Sequence, residues 1–348
     1  MLSSTCAACG ASDAKKDCGR CKTTYCSAAC QTQHWKEGGH KDLCRRIKRG
    51  GGAEQYHADK KYAVLSALAV ETCTEATKGQ TCYICRDERS TEGLVRGCAC
   101  HTTEGFAHLS CLVREAQVVS EDQFRQHNRY SIWIKSAECG LCHQRYHGAV
   151  ACAMGWACWN TYVSRSEENG LRGYALCAVS VGSHELGRAV EALCPATAYR
   201  DWCRRFDSAN IIAADENLAN VYAQLGRHDE ALAILRRVHA AKVRTLGSED
   251  HSSVLSLLNL SVTLEGPGRY GEVIELLREE RPAACRALGE NHQLCLSLAH
   301  DLGVAHLKRA ADMEICSPLA PCFATLSCGP EKSTDPTTQT HTRVNSLS

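Results

Sequence analysis

The chain has 348 residues, enough for two or three domains of ordinary size. Hydrophobic residues make up 44% and charged residues 23%, a composition that fits neither a disordered polymer nor a membrane protein. Lys and Arg number 40 against 39 Asp and Glu, a net of +1, so nothing global draws the chain to nucleic acid or an anionic membrane.

Cysteine is the outlier, with 25 residues, an odd number that rules out a complete set of disulfides. The N-terminal stretch lacks a basic start followed by an apolar run, so export is not expected. Without export, paired cysteines point to metal rather than to disulfides. The longest apolar stretches, Tyr62–Val70 and Ala149–Trp159, fall short of the ~20 residues of a membrane helix. The expectation is a protein with no membrane partner in a reducing compartment. The cytoplasm is the first choice, and the basic Arg45, Arg46, Lys48 and Arg49 leave the nucleus open. With only 4 Phe, 5 Trp and 11 Tyr, a large aromatic core is not expected.

Residues 1–50 carry the first cysteine cluster: Cys6-x2-Cys9, Cys18-x2-Cys21, Cys26-x3-Cys30 and His40-x3-Cys44. Eight thiol and imidazole ligands suit two tetrahedral zinc sites. Cys26 and Cys30, like His40 and Cys44, are four apart, so each pair can share one face of a helix. The segment is too small for an ordinary core, so metal must supply its folding free energy, on the order of 10–16 kcal/mol per site. His34 is a rival ligand four residues after Cys30. Residues 1–52 hold ten Lys and Arg against four Asp and Glu; these cations offset the thiolates and need no nucleic acid to explain them.

This run resembles the MYND zinc finger in Tyr25-Cys26, Cys30-Gln31, Trp35 and His40-x3-Cys44. The resemblance implies interleaved sites, with Cys6, Cys9, Cys26 and Cys30 on one zinc and Cys18, Cys21, His40 and Cys44 on the other. It also implies binding of short, often proline-containing peptides, for which Trp35 is either a groove wall or a small-core anchor. Gly50-Gly51-Gly52 then opens a linker, and the Ala, Leu, Glu and Lys content of residues 51–80 predicts a connecting helix.

The second cluster occupies residues 81–150: Cys82-x2-Cys85, Cys98-x-Cys100, His108-x2-Cys111 and Cys139-x2-Cys142. Again there are eight ligands for two zincs, with His101 a rival to His108. Ile84 inside the first knuckle, Gly97-Cys98-Ala99-Cys100 and Ala107-His108-Leu109-Ser110-Cys111-Leu112 resemble the RING-CH finger of ubiquitin ligases. Cross-brace carry-over assigns Cys82, Cys85, His108 and Cys111 to one zinc, and Cys98, Cys100, Cys139 and Cys142 to the other. The resemblance implies that Ile84, extended by Leu112, docks a ubiquitin-conjugating enzyme, a role that rests on proximity and orientation alone. Four departures stand beside it. Arg114-Glu115-Ala116 occupies the place of a family Trp, for which Trp133 is the candidate substitute. The gap from Cys111 to Cys139 is 27 residues long, with a polar insertion. His143 and Arg145 stand where a basic residue braces the bound ubiquitin. No membrane helices accompany the finger.

From residue 165 to 312 the pattern is helical and repeats every 42 residues. Asn217-Leu218-Ala219 returns as Asn259-Leu260-Ser261, Gly226-Arg227 as Gly268-Arg269, and Leu246-Gly247 as Leu288-Gly289. A degenerate copy covers Tyr174 to Leu193, and another begins near Asp301 and fades. The unit resembles the tetratricopeptide repeat of the kinesin-light-chain type. That resemblance implies a solenoid whose concave face receives a peptide, with Asn217, Asn220 and Asn259 either gripping its backbone or satisfying their neighbours. Residues 313–348 are rich in Pro, Ser and Thr and read as a disordered tail.

The expected fold is thus small zinc-stabilised α+β modules, MYND and RING-CH, followed by an all-α tetratricopeptide-like helical solenoid. The expected cofactor is zinc, four ions. The implied function is a RING-CH-type ubiquitin ligase that binds a conjugating enzyme and recruits protein or peptide substrates, with no catalytic nucleophile of its own. The alternative is a non-enzymatic zinc adaptor. A MYND-linked lysine methyltransferase is not supported, since no Asn-His-x-Cys motif is present.

Overall fold

A computed structural model describes residues 6–11, 14–87, 90–100, 104–126 and 137–315. Trp133, His101 and the expected tail beyond residue 315 lie outside them. No disulfide joins the described cysteines. Among the described residues, no helix is long and apolar enough to cross a membrane.

The first finger begins with a minimal hairpin. Strand β1 (Lys16–Asp17) pairs antiparallel with β2 (Thr24–Tyr25), Lys16 facing Tyr25. Helix α1 (Ala28–Lys36) follows; the Ser27 side chain caps it by accepting from the Cys30 amide at 3.1 Å. Helix α2 (His40–Arg49) buries His40, Cys44 and Ile47 on one face and exposes Lys41, Arg45, Arg46, Lys48 and Arg49. The finger's core is Tyr25, Ile47, Ala53 and four zinc-cluster cysteines.

Helix α3 (Ala53–Cys73) does more than connect. Ala58, Leu65, Ala69 and Cys73 are buried, and with half-buried Tyr62 they recur at intervals of four, three, four and four. That is a single helical face. The Cys73 thiol accepts from the Arg96 amide at 3.4 Å, tying the helix to the second finger. Glu54 pairs with Arg172 at 3.1 Å and Lys61 with Glu191 at 2.8 Å, tying it to the helices beyond.

In the second finger β3 (Leu94–Val95) pairs antiparallel with β4 (Ala107–His108), which runs directly into α4 (Leu109–Arg125). Glu92 reaches the start of α4 and accepts from the Ser110 amide at 2.9 Å. The apolar run noted in the sequence becomes α5 (Gly148–Tyr162), hydrophobic all round because α3, α4 and α6 (Gly170–Glu185) enclose it. Helices α5 and α6 touch backbone to backbone at Gly182, where an added Cβ would lie 2.7 Å from the Ala151 carbonyl oxygen. Helix α5 thus packs the second finger against the helices that follow it.

Beyond α6 come α7 (Ala189–Phe206), α8 (Ile211–Gln224), α9 (His228–Leu246), α10 (His251–Glu265), α11 (Tyr270–Leu288) and α12 (Gln293–Ile315). The turn recurs at three places. Gly187, Gly226 and Gly268 take φ of 72°, 72° and 75°, which lets each first helix end in a left-handed residue. The next residue is always Arg. Its amide donates back to Ser183, Tyr222 or Leu264 at 2.8, 2.9 and 3.0 Å, and its guanidinium pairs with Glu191, Glu230 or Glu272. The pair α6–α7 is thus a true repeat unit. Its core holds the aromatic cluster Tyr174, Tyr199, Trp202 and Phe206, while the later repeats pack almost entirely aliphatic side chains.

Candidate metal centres

Four groups of ligand atoms converge, each within 4.8 Å: Cys6, Cys9, Cys26, Cys30; Cys18, Cys21, His40, Cys44; Cys82, Cys85, His108, Cys111; and Cys98, Cys100, Cys139, Cys142. A tetrahedral zinc with Zn–S bonds near 2.3 Å places its sulfurs about 3.8 Å apart. The sulfur pairs fit: Cys9–Cys26 lie at 3.6 Å, Cys26–Cys30 at 3.5 Å, Cys18–Cys44 at 3.8 Å and Cys100–Cys139 at 3.6 Å. His40 offers Nε2, 3.5 Å from the Cys21 sulfur, whereas His108 offers Nδ1, 3.3 Å from Cys85. Four thiolates, or three thiolates and an imidazole, fit zinc at each point and leave no open position, as in structural sites. Four sites that could hold zinc are therefore present. In both fingers the two sites alternate along the chain, so each metal closes a loop containing ligands of the other.

The surrounding groups prepare part of each quartet for metal. Backbone amides, that of Cys26 foremost, hold the Cys6 thiol down at about 6. Burial raises Cys82, but the amides of Cys85, His108 and Ile84 outweigh it and bring the thiol to about 7. The last thiols resist. Cys26 is pushed up to about 12 by the sulfurs of Cys30, Cys6 and Cys9, and Cys111 to about 12 by burial and then by Cys85 and Cys82. Three or four sulfurs packed this closely cannot all ionise without a cation between them. Burial, then the neighbouring His34, holds His40 below its usual value, which keeps the ring neutral as a ligand must be.

His34 belongs to neither quartet of the first finger. Its Nδ1 lies 3.1 Å from the Tyr25 hydroxyl, and its ring stacks on His40 at 5.2 Å. Trp35 sets its edge against His40 at 5.7 Å and keeps 37% of its surface exposed, so it is part anchor and part surface.

In the second finger Ile84 is 37% exposed. Leu112 is not available to a partner, and the expected extension of the patch through it is corrected. It is 3% exposed, because the step from Cys111 rotates it about 100° around α4 into the core. The apolar companion of Ile84 is Leu141, 45% exposed inside the last knuckle. The apolar-knuckle rule that singled out Ile84 applies equally to Cys139-x2-Cys142 and would have found it. The two knuckles meet over α4. Tyr83 donates its hydroxyl hydrogen to Glu115 at 3.3 Å, and a Cβ on Gly140 would stand 3.0 Å from the same carboxylate. Arg145 does not face outward with these residues. It is half-buried beside α5 and α6, with no hydrogen-bond partner for Nε, which leaves His143 as the exposed basic candidate.

In the solenoid Asn217, Asn220 and Asn259 are half-buried on the first helices of their repeats. Asn217 donates to the Cys177 sulfur at 3.4 Å, so part of its capacity serves the adjacent repeat. Thiols outside the quartets behave as small apolar groups. Cys152, Cys177, Cys203, Cys285 and Cys295 are buried, and burial pushes Cys203 up to about 12.

Residues 6–44 match the MYND finger family, and residues 210–285 match the tetratricopeptide repeat family. The chain thus carries a MYND finger and tetratricopeptide repeats. No curated protein matches it. Two solved structures are similar, both of a putative kinesin light chain with nearly identical TPR-like repeats from Podosopora anserina. One is 19% identical, covers 59% of this chain and 89% of that one, and superposes with a TM-score of 0.41. The other, a point variant of the same protein, is 20% identical, with coverages of 59% and 88% and the same TM-score. MYND fingers and tetratricopeptide repeats support a protein–protein interaction adaptor with protein partners.

Proposed function

We propose that this chain is a ubiquitin ligase of the RING-CH type. In this reading the second finger docks a charged ubiquitin-conjugating enzyme, and the MYND finger and solenoid hold the substrate. The observation that carries it is the meeting of two zinc knuckles over one helix, each with an exposed apolar residue inside it, Ile84 in the first and Leu141 in the last. Such a cleft, made rigid by two metals, holds a partner's thioester in one orientation without any covalent chemistry of its own. The chain would work where its thiols stay reduced, in the cytoplasm or the nucleus.

A second reading is favoured by Glu115. It lies against both knuckles, within the Arg114-Glu115-Ala116 stretch that stands where the ligase family carries a Trp, and an acidic residue there removes apolar contact area. On that reading the finger is a metal-bound scaffold within a non-enzymatic adaptor.

A discharge experiment separates the two. The intact zinc-loaded chain is mixed with a panel of charged conjugating enzymes and free lysine. The intact chain is needed because α3 and α5 complete the finger's core. At least one enzyme is expected to discharge faster. Ile84→Ala or Leu141→Ala is expected to reduce that gain about thirtyfold, the loss typical of an interface hot spot, with zinc content unchanged. No acceleration with any enzyme supports the adaptor.

A further inference from the structure

Between α4 and the last zinc knuckle lies an open cleft of about 550 Å³. Its floor is Leu112, Ala116, Val119 and Met154, and its walls carry Glu115 and Glu138. Neither carboxylate has an ion-pair partner among the described residues, and Glu115 has only the Tyr83 hydroxyl. The remaining titratable wall residues are His143, exposed at the mouth, and Tyr146. Arg145 opposes Glu138 in an isolated antiparallel bridge, but its side chain lines a different cavity beside α5 and α6, and Arg114, next to Glu115 in the chain, is exposed and outside the cleft lining. Directly behind the cleft stands Cys139, a member of the four-cysteine group with Cys98, Cys100 and Cys142. Four thiolates on one divalent zinc leave that centre two charges negative. Two carboxylates therefore face one partly desolvated space, backed by a cysteine group that would be anionic with zinc bound, and Coulomb terms there are stronger than in water.

We propose that this cleft receives a Lys or Arg side chain of the docked partner, its aliphatic stem on half-buried Ala116 and Val119 and its charged head between Glu115 and Glu138. This rests on the docking reading above and narrows it. The conjugating enzyme recognised by this chain is one that presents a basic residue beside its apolar docking side chains. Glu115, which costs the cleft a large apolar contact, becomes its selectivity element.

The test measures binding of the intact zinc-loaded chain to each conjugating enzyme of a panel, at low and high salt. Glu115→Gln and Glu138→Gln keep the shape of the cleft and remove one charge each. Each is expected to weaken the best-bound enzyme about tenfold, and salt is expected to weaken wild type more than either variant. Glu115→Lys is expected to abolish binding, and a Glu in place of the partner's basic residue is expected to restore it. Full binding by both Gln variants at either salt, with Ile84→Ala still defective, overturns the proposal and leaves the docking reading standing. Failure of every enzyme to bind wild type removes both. A further metal ion held by wild type and lost in Glu115→Gln would make the cleft a metal site and also overturn the proposal.

Discussion

Replacing Cys44 by Ser is expected to remove both zincs of the first finger, not one, and to unfold residues 6–52. The finger has little else to hold it. Its hairpin has two residues per strand, far below what stands alone in water. Of the seven buried residues in its core, four are metal ligands, leaving Tyr25, Ile47 and Ala53. The ligands alternate between sites, so opening the loop closed by Cys44 frees Cys26 and Cys30 from the geometry that sets them beside Cys6 and Cys9. A structural zinc supplies about 10–16 kcal/mol of folding free energy, more than this small core can replace. Metal content should fall by two per chain, and protease should cut freely before α3, which stays docked through Leu65 and Ala69. Loss of a single zinc with residues 6–52 still protected would show the sites to be independent.

Asp215→Ala is expected to lower the melting temperature of the helical part by about 6–12 °C. Asp215 on α8 is 7% exposed and lies between two arginines. Arg237 of α9 donates a hydrogen bond at 2.7 Å. Arg200 of α7 is equally close at 2.7 Å but off-axis for a hydrogen bond, so its attraction is Coulombic. One carboxylate thus joins three helices and two repeats. Breaking such a pair strands a cation, at a cost of about 3 kcal/mol, the low end of the range because Arg237 is 57% exposed and keeps its water. For a body of this size that cost corresponds to the stated shift. Asp215→Asn, which can still accept from Arg237, should lose less. An unchanged melt for both would mean that the packing of Leu218 and Leu235 alone sets the stability.

What the sequence reveals here depends on how local the cause is. Zinc geometry is written into spacing, because a C-x2-C turn or a helical i, i+4 pair fixes two ligands without reference to the rest of the fold, and the same quartets converge in space. Repeat boundaries are equally local. The Gly-Arg turn at Gly187 stands 39 residues before Gly226 and identifies the degenerate first unit. Facing is harder. Leu112 and Ile84 read alike as apolar residues beside ligands, yet one sits on a helix rotated into the core and the other on an open turn. Arg145 turns inward because α5 and α6 pass beside it, which no neighbour in sequence announces. Composition identified residues 51–80 as helical but not as packed; the interval from Ala58 to Cys73 carried that information.

The count of zinc ions on the purified native chain tests the central claim most directly. Sixteen ligands in four closed quartets predict four zincs per chain, held through extensive dialysis. Two or fewer, in a chain that is fully folded, would contradict it, because one finger would then keep its shape without the metals assigned to it.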